Sequence, residues 1–173
     1  MERRTRGLVL NGYLKYIQQK WGNGELKVAR ADNGIDNLDF KDGQYYQAEI
    51  IGNVLRWIRR NKGEDAVVGA GRFLLHNLGI LSWMVRFRDF QTLANKFPKN
   101  YSEIYAFGSC VVEEPSPNEV HLILKDVCFH DEACLVWEGI CQEALVITKT
   151  SGKVTHKHGP KGSNNCTFII KIY

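Results

Sequence analysis

The spacing of the apolar residues changes near residue 100, and this change constrains the fold more than any other feature of the chain. Before it, apolar residues recur about every 3.6 positions, which is typical of helices that bury one face. After it, "YAFGSCVVEE" and "EVHLILKDV" are β-branched or alternating runs, which are typical of strands. We therefore predict about four helices, followed by two strands, one helix and two strands.

Four helices are predicted before the change. "RTRGLVLNGYLKYIQQKWG" has helical spacing and should end at Gly22 and Gly24, because glycine commonly follows a helix. After a polar loop, "YYQAEIIGNVLRWIRRNKG" should end at Gly63. "EDAVVGAGRFLLHNLGILSWMV" has an acidic first turn, which the helix dipole favours. A short helix in "RDFQTLANKFPKN" should stop before Pro98.

The rest of the chain predicts a sheet and one more helix. "PSPN" separates the first two strands as a turn, and "HDEACLVWEGICQEALVIT" returns to helical spacing. "GKVTHKH" and "CTFIIKIY" should form a second hairpin. The predicted fold class is α+β, with N-terminal helices packed on a C-terminal antiparallel β-sheet and one helix inserted between two hairpins. We expect a single domain over residues 1–173, with a helical part over about 1–100 and a sheet part over about 101–173.

Composition excludes several classes of protein. No run approaches the ~18 apolar residues needed to span a bilayer. No small-residue cleavage site follows the basic N-terminus, so a cytoplasmic protein is expected. The net charge of +4 is spread along the chain, so no nucleic-acid partner is predicted. The 5 cysteines all follow residue 109 and are an odd number; in a cytoplasm they are expected to be reduced thiols.

Two segments resemble a known ligand-binding superfamily. "YYQAEIIGNVLRWIRRNKGEDAVVGAGRFL" looks like its helix, glycine, acidic pair and glycine-rich helix start, and "FPKNYSEIYAFGSCVVEEPSPNEVHLILKD" is similar to its strand pair. The superfamily includes the vinyl-reductase-type (V4R) sensor domain, the heme-nitric-oxide-binding (H-NOX) domain and the TRAPP vesicle-tethering subunits. The second segment is also similar to an uncharacterised myxobacterial group. The resemblance covers about residues 40–173 and implies a cavity between the middle helices and the sheet.

A third segment resembles the cysteine pattern of vinyl-reductase-type domains. Cys134 opens a helix, and Gly139 follows it. The last hairpin carries His158, Gly162 and Cys166 at the family's steps, with histidine in place of the first hairpin cysteine. The resemblance implies that Cys134, His158 and Cys166 converge, and such ligands suit tetrahedral zinc. The fourth ligand would be one of three residues just upstream: His130, Asp131 or Glu132. The alternative is an exposed hairpin tip in which Cys166 packs as a small hydrophobic residue.

Two branches of the superfamily make further demands on the sequence. The H-NOX branch would need a proximal histidine on the helix after the glycine-rich one and a Tyr-x-Ser-x-Arg motif. Residues 80–98 contain no histidine and the motif is absent, so no heme is expected. His76 is interpreted as a core histidine because it lies on an apolar stretch. The TRAPP branch can carry an acyl chain on a cysteine of its helical half, but residues 1–109 contain no cysteine.

Bulky apolar side chains would line the implied cavity. With few polar partners among them, they predict an apolar or aromatic small molecule as the ligand. The alternative is a filled core built from the same side chains. The expected lining residues are Tyr46, Ile50, Phe73, Leu74, Leu78, Trp83 and Trp137.

No catalytic residues are predicted, so we expect a protein that is not an enzyme. Glu113 and Glu114 are adjacent on a strand, and their side chains therefore point to opposite faces. The favoured function is a non-catalytic sensor or adaptor that signals through dimerisation or a partner protein, with helix 8–21 or helix 64–84 as the contact surface. Two alternatives remain: a structural assembly or tethering subunit without ligand, and an accessory protein of tetrapyrrole metabolism.

Overall fold

The computed structural model describes residues 2–77, 89–160 and 163–173 of the chain. Helices dominate the first part and strands the second, as the apolar spacing predicts. In chain order, the elements are β1 (Arg4–Arg6), α1 (Gly7–Asp32), β2 (Tyr45–Gln47), α2 (Ala48–Lys62), α3 (Glu64–Asn77), α4 (Phe90–Ala94), α5 (Phe97–Ile104), β3 (Ser109–Ser116), β4 (Glu119–Lys125), α6 (Asp131–Ile147), β5 (Gly152–His158) and β6 (Cys166–Ile172).

The main sheet is antiparallel, with strand order β3-β4-β6-β5. β3 pairs with β4 and β5 pairs with β6, so both predicted hairpins are confirmed. β4 and β6 join the hairpins, with Leu122 opposite Phe168. Both of these side chains are buried on the face that looks toward the helices, as a sheet with one covered face requires. The α+β class is therefore confirmed.

The helix between the hairpins, α6, lies against α3 with the two backbones in contact. A Cβ atom added to Gly71 would lie 2.0 Å from the carbonyl oxygen of Val136. A Cβ atom added to Gly139 would lie 2.0 Å from the carbonyl oxygen of Val68. No side chain fits at either position, so glycine is what allows this close crossing.

Helix α1 continues beyond its predicted end. Gly22 has φ of 90° and ψ of 175°, so the helix kinks there, yet the chain is helical again up to Asp32. Ala29 in the second half is fully buried, which indicates that packing favours the continued helix. The predicted stop is therefore confirmed as a break in the helical backbone at Gly22, whereas the helical segment that follows it up to Asp32 was not predicted.

Pro98 begins a helix and does not end one. α4 ends at Ala94, and α5 begins at Phe97 with the proline in its first turn. An N–H in the first turn has no helical acceptor, so proline is tolerated there. The single predicted helix is corrected to two short ones.

A small two-stranded sheet connects the start of α1 to the start of α2. β1 and β2 are antiparallel, with Thr5 opposite Tyr46. Strands of 3 residues are too short to show a period, so the apolar spacing predicts a helical position for Tyr46 instead. α2 ends at Lys62, and Gly63 caps it with φ of 89°; the predicted end of this helix is therefore confirmed.

In the described ranges, no helix has both the length and the apolar character that crossing a bilayer requires. The helix predicted over 64–84 is present as α3 up to Asn77. The rest of that prediction, which includes Leu78 and Trp83, lies outside the described residues.

Candidate functional site

An apolar cavity lies between α1, α2, α6 and the segments 105–107 and 127–130, and we call it the aromatic cavity. Its volume is about 30 Å³, measured for the centre of a water-sized sphere. This exceeds the roughly 10–15 Å³ that one water needs on the same measure, so a small guest fits. The lining residues are Tyr13, Ala48, Ile51, Leu55, Tyr105, Phe107, Val127, Phe129, His130, Ala133, Val136 and Trp137.

The residues expected to line a pocket do not surround one common space. Trp137 lines the aromatic cavity. Tyr46 packs its ring edge against Phe40, with 5.0 Å between the ring centroids, and Phe73 packs on Tyr16 at 5.3 Å. Leu74 is buried in the hydrophobic core, and Ile50 is partly buried and packs against that core. Ligand binding by this set stays a prediction.

A chain of aromatic rings forms one wall of the aromatic cavity. Tyr105 packs edge-on against Phe107, Phe107 against Phe129, and Phe129 against His130, with centroid distances of 5.6, 5.6 and 4.6 Å. These four residues lie in connecting segments and not on a periodic helix face, so the apolar spacing does not predict them as lining residues. The only available signal was the density of aromatic residues in "IYAFG" and "CFHDE".

Two tyrosines, Tyr13 and Tyr105, line the aromatic cavity. Burial raises the pKa of Tyr13 well above its usual range, and the neighbouring Tyr105 adds to this effect. Burial likewise raises the pKa of Tyr105. Both phenols therefore stay protonated at neutral pH and keep a hydrogen that can be donated to a ligand.

His130 lines the aromatic cavity and also caps α6. Its Nδ1 lies 3.1 Å from the backbone nitrogen of Ala133 and 3.2 Å from a carboxylate oxygen of Glu132. One nitrogen cannot accept from the amide and donate to the carboxylate at the same time, so two tautomers compete. Burial lowers the pKa of His130 more than the nearby Glu132 raises it, so the imidazole is neutral at pH 7. Its ring packs over Gly52, where an added Cβ would lie 3.3 Å from Nε2.

Glu132 is a buried carboxylate that Arg59 holds in its charged form. An Arg59 nitrogen lies 3.1 Å from the Glu132 Oε1, and Arg59 also pairs with Glu64. Burial raises the pKa of Glu132, but its backbone hydrogen bond, Arg59 and His130 together outweigh burial and lower that pKa. Asp131 is exposed, 3.6 Å from the same guanidinium.

Three sulfur atoms meet where α6 begins, and we call them the sulfur cluster: Cys128, Cys134 and Cys166. Cys128 and Cys166 form a disulfide, and the Cys134 Sγ lies 3.5 Å from the Cys166 Sγ. The expectation that all cysteines are reduced is therefore wrong for Cys128 and Cys166. Its basis was the absence of a secretion signal, which says nothing about which sulfurs are brought together in space.

Of the three residues expected to bind zinc, Cys134 lies close to both Cys166 and His158, but Cys166 is not available as a ligand. The Cys134 Sγ and a ring nitrogen of each of His156 and His158 lie within 4.8 Å of one another. Cys166 is bonded to Cys128 and has no thiolate to offer a metal. The suggested fourth ligands are engaged elsewhere, because Glu132 and Asp131 face Arg59 and His130 caps the helix. The zinc prediction is not supported.

His76 is not a core histidine. Its side chain is 58% exposed, and Nδ1 lies 2.9 Å from a carboxylate oxygen of Glu143. The helical stretch around it is apolar, but His76 lies on the outward side of α3, so the interpretation of His76 as buried is wrong.

Structural comparison gives the relation of this fold to known ones. An H-NOX protein from S. oneidensis in the Fe(II)NO ligation state is similar over 97% of this chain and 99% of that chain, with a TM-score of 0.79 and 15% identity. The Fe(II) unliganded H-NOX protein from K. algicida is similar over 97% and 96%, with a TM-score of 0.73 and 14% identity. No protein-family model matches the chain, and no curated protein sequence matches it either.

These neighbours correct the expectation that no heme is involved. A third neighbour, with 9% identity and a TM-score of 0.78 over 96% of this chain, was solved in a study of heme distortion in the H-NOX family. The absence of a histidine from residues 80–98 was therefore a poor reason to exclude heme. The V4R, TRAPP and myxobacterial parts of the resemblance stay predictions, whereas the arrangement of helices and strands is that of the H-NOX structures. The chain therefore has the H-NOX fold.

Proposed function

We propose that this chain is a non-catalytic sensor domain whose ligand is a small molecule held in the aromatic cavity. The cavity itself supports this most strongly, because rings and aliphatic side chains from several elements enclose a space that a small apolar guest can fill. One structural neighbour carries NO on Fe(II), so the fold accommodates a diatomic ligand in that protein.

The polar groups of the aromatic cavity suit binding better than catalysis. Tyr13 and Tyr105 keep their protons because burial raises their pKa values, so neither is a base at neutral pH. His130 is neutral and is already engaged by Ala133 and Glu132. Such groups can orient a guest through hydrogen bonds without taking part in proton transfer.

Heme deserves a direct test, because the neighbours include heme proteins. His130 has suitable chemistry: when Nδ1 carries the proton and donates to Glu132, Nε2 keeps the lone pair that coordinates iron. The aromatic cavity is much smaller than a heme, so its walls would have to separate. When bound, heme would supply an iron that coordinates gases, and the residues of this chain would hold and enclose it.

A signal would leave the aromatic cavity through α6. Phe129 and His130 line the cavity, and His130 also caps the first turn of α6. A guest that moves this pair would therefore shift the start of α6, which is packed tightly on α3. A partner protein or a second copy of the chain would then detect the position of these helices.

Filling the aromatic cavity tests the proposal. Xenon is a suitable probe because it enters small apolar cavities. We expect xenon to shift the methyl NMR signals of Ile51, Leu55 and Val136 in the unmodified chain, and to leave them unshifted in Ala48→Leu, whose larger side chain occupies the space. Ala31→Leu is the matched control, because Ala31 is exposed on α1; it should respond as the unmodified chain does.

Hemin is the second probe, followed by its absorption spectrum. Saturable binding at one heme per chain, lost in His130→Ala, would identify heme as the ligand that His130 holds. Binding of neither xenon nor hemin, or xenon shifts that persist in Ala48→Leu, would contradict the sensor proposal. If neither probe binds, the core is filled, and stability that depends only on dimer concentration would favour the assembly subunit.

A further inference from the structure

The sulfur cluster places a free thiol against a disulfide. Cys128 lies in the segment before α6, Cys134 in the first turn of α6, and Cys166 at the start of β6. The Cys134 Sγ is 3.5 Å from the Cys166 Sγ, which is already bonded to Cys128. Attack of a thiolate on a disulfide sulfur is how disulfides exchange, and here the attacking sulfur is already in contact with its target.

Two imidazoles stand beside that thiol. A ring nitrogen of each of His156 and His158 lies within 4.8 Å of the Cys134 Sγ. His156 stacks on Phe168, with 4.7 Å between centroids and 13° between planes, so its ring orientation is fixed. Within the described part of the chain, its buried Nε2 has no hydrogen-bond partner. An unpaired buried nitrogen is costly, and a nearby proton donor would satisfy it.

Solvent reaches the thiol through a surface cavity of about 220 Å³. Cys134, His156 and His158 line it together with Glu138. Protons and small reagents can therefore exchange with this group of side chains. The aromatic cavity is a different space, and of these four residues none lines it.

We infer that Cys134 exchanges with the Cys128–Cys166 disulfide, with His156 as the base that takes the thiol proton. The Cys134 thiolate attacks the Cys166 Sγ, so a Cys134–Cys166 bond forms and the Cys128–Cys166 bond breaks. The electron pair of the broken bond leaves on Cys128, and the resulting thiolate takes up the proton. One disulfide and one thiol are present before and after, so no oxidant or reductant is consumed.

The environment explains why a base is needed. Burial, with a smaller effect from Asp131, raises the pKa of Cys134 to about 11, so few molecules carry the thiolate at neutral pH. Burial and the neighbouring His158 lower the pKa of His156, so its imidazole is neutral and able to accept a proton. A neutral imidazole within 4.8 Å of a protonated thiol needs only a small side-chain movement or one bridging water to take its proton.

Exchange would change how the segment before α6 is attached to the sheet. The disulfide ties Cys128 to β6, and the Asn164 carbonyl also accepts hydrogen bonds from Val127 and Cys128 at 3.0 and 2.8 Å. After exchange only the hydrogen bonds remain. Phe129 and His130 follow in the same segment and line the aromatic cavity. Ligand affinity would then depend on which disulfide is present, a consequence that rests on the proposed function.

Disulfide mapping tests the exchange without any ligand. The full chain is incubated in a glutathione buffer, quenched with acid, alkylated and digested, and bridged peptides are identified by mass spectrometry. We expect both Cys128–Cys166 and Cys134–Cys166 bridges in the unmodified chain. Cys128→Ser should contain only Cys134–Cys166, and Cys134→Ser only Cys128–Cys166. Cys141→Ala, which removes a buried thiol of α6 outside the sulfur cluster, should match the unmodified chain.

The role of His156 is tested by the rate of exchange. General-base catalysis contributes about a hundredfold or more, so His156→Gln should slow the appearance of Cys134–Cys166 bridges by about that factor at neutral pH. His76→Gln, on the exposed side of α3, is the control. Absence of Cys134–Cys166 bridges in both the unmodified chain and folded Cys128→Ser would overturn the exchange. An unchanged rate in His156→Gln would overturn the role of the histidine. Failure of xenon and hemin to bind would leave both results as they stand.

Discussion

Glu132 links the aromatic cavity to the protein surface through its neighbours. It faces Arg59 on one side and His130 on the other, and it is itself buried. A buried carboxylate is stable only while these partners compensate for its lost hydration. The capping histidine and the carboxylate therefore form one electrostatic unit at the start of α6.

Stability should fall at acid pH because of Glu132. Its pKa is lowered in the folded state, so its contribution is complete above the ordinary carboxyl pKa and is lost as the pH falls toward the lower folded value. Glu132→Gln should destabilise the chain at neutral pH by about 2 kcal/mol, since Arg59 loses a charged acceptor. Urea unfolding measured between neutral and acid pH would show both effects.

Glu138→Gln is the control, because Glu138 lies on the same helix and, among the described residues, its carboxylate accepts from Gln142 alone. It should change neither the stability at neutral pH nor its decline in acid by a comparable amount. A Glu132→Gln variant as stable as the unmodified chain at neutral pH would show that Arg59 does not stabilise the carboxylate.

The sequence predicts only some of the residues that form the aromatic cavity and the sulfur cluster. Trp137 was expected to line the cavity that the superfamily resemblance implies, and it does line the aromatic cavity. Phe107, Phe129 and His130 were missed because they lie in connecting segments, where no period marks an inward direction. Cys128 was missed as the partner of Cys166 because the pairing spans 38 residues and depends on how β4 and β6 align.

The contact between helices α3 and α6 depends on two glycines, Gly71 and Gly139. Gly139→Ala would bring a methyl group to 2.0 Å from the Val68 carbonyl oxygen, so the helices must separate. We expect a loss of about 3 kcal/mol in the free energy of unfolding, as for other overpacked cores. Thermal and urea unfolding would measure it.

Gly24→Ala serves as the comparison, because nothing lies within 4 Å of the added Cβ and the residue is helical. Alanine favours helix over glycine by about 1 kcal/mol, so this variant should be slightly more stable. If Gly139→Ala were as stable as Gly24→Ala, the close crossing of α3 and α6 would be wrong.

Elements whose apolar pattern extends over many residues are predicted correctly, whereas short elements and breaks within helices are not. The four long strands and α6 follow from alternation and helical spacing over at least 7 residues each. The helical segment after Gly22 and the helix that contains Pro98 were not predicted, because glycine permits a kink between two helical segments as well as an end, and proline fits a first turn as well as a stop. Packing decides between them, and packing involves residues distant in sequence.

At the scale of the whole molecule, one disulfide connects the sheet to the segment before α6. It joins residues 38 positions apart. Closing a loop of that length should stabilise the fold by about 4 kcal/mol relative to the reduced chain. Urea unfolding with and without a phosphine reductant would measure the difference.

A double variant, Cys128→Ala with Cys134→Ala, provides the reference, because neither partner of Cys166 remains. Its stability should not respond to the reductant. Equal midpoints for the unmodified chain in both buffers would mean that no bridge to Cys166 contributes to the stability of the molecule.

The reciprocal placement of Val136 over Gly71 and of Val68 over Gly139 also limits how the molecule can move. Each carbonyl sits in the notch left by the missing side chain of the other helix, so the two helices cannot slide along each other without collision. A shift of α6 along its own axis would therefore push against α3. A displacement at the His130 end of α6 would thus reach the outward side of α3, although none of the described residues of α3 lines the aromatic cavity.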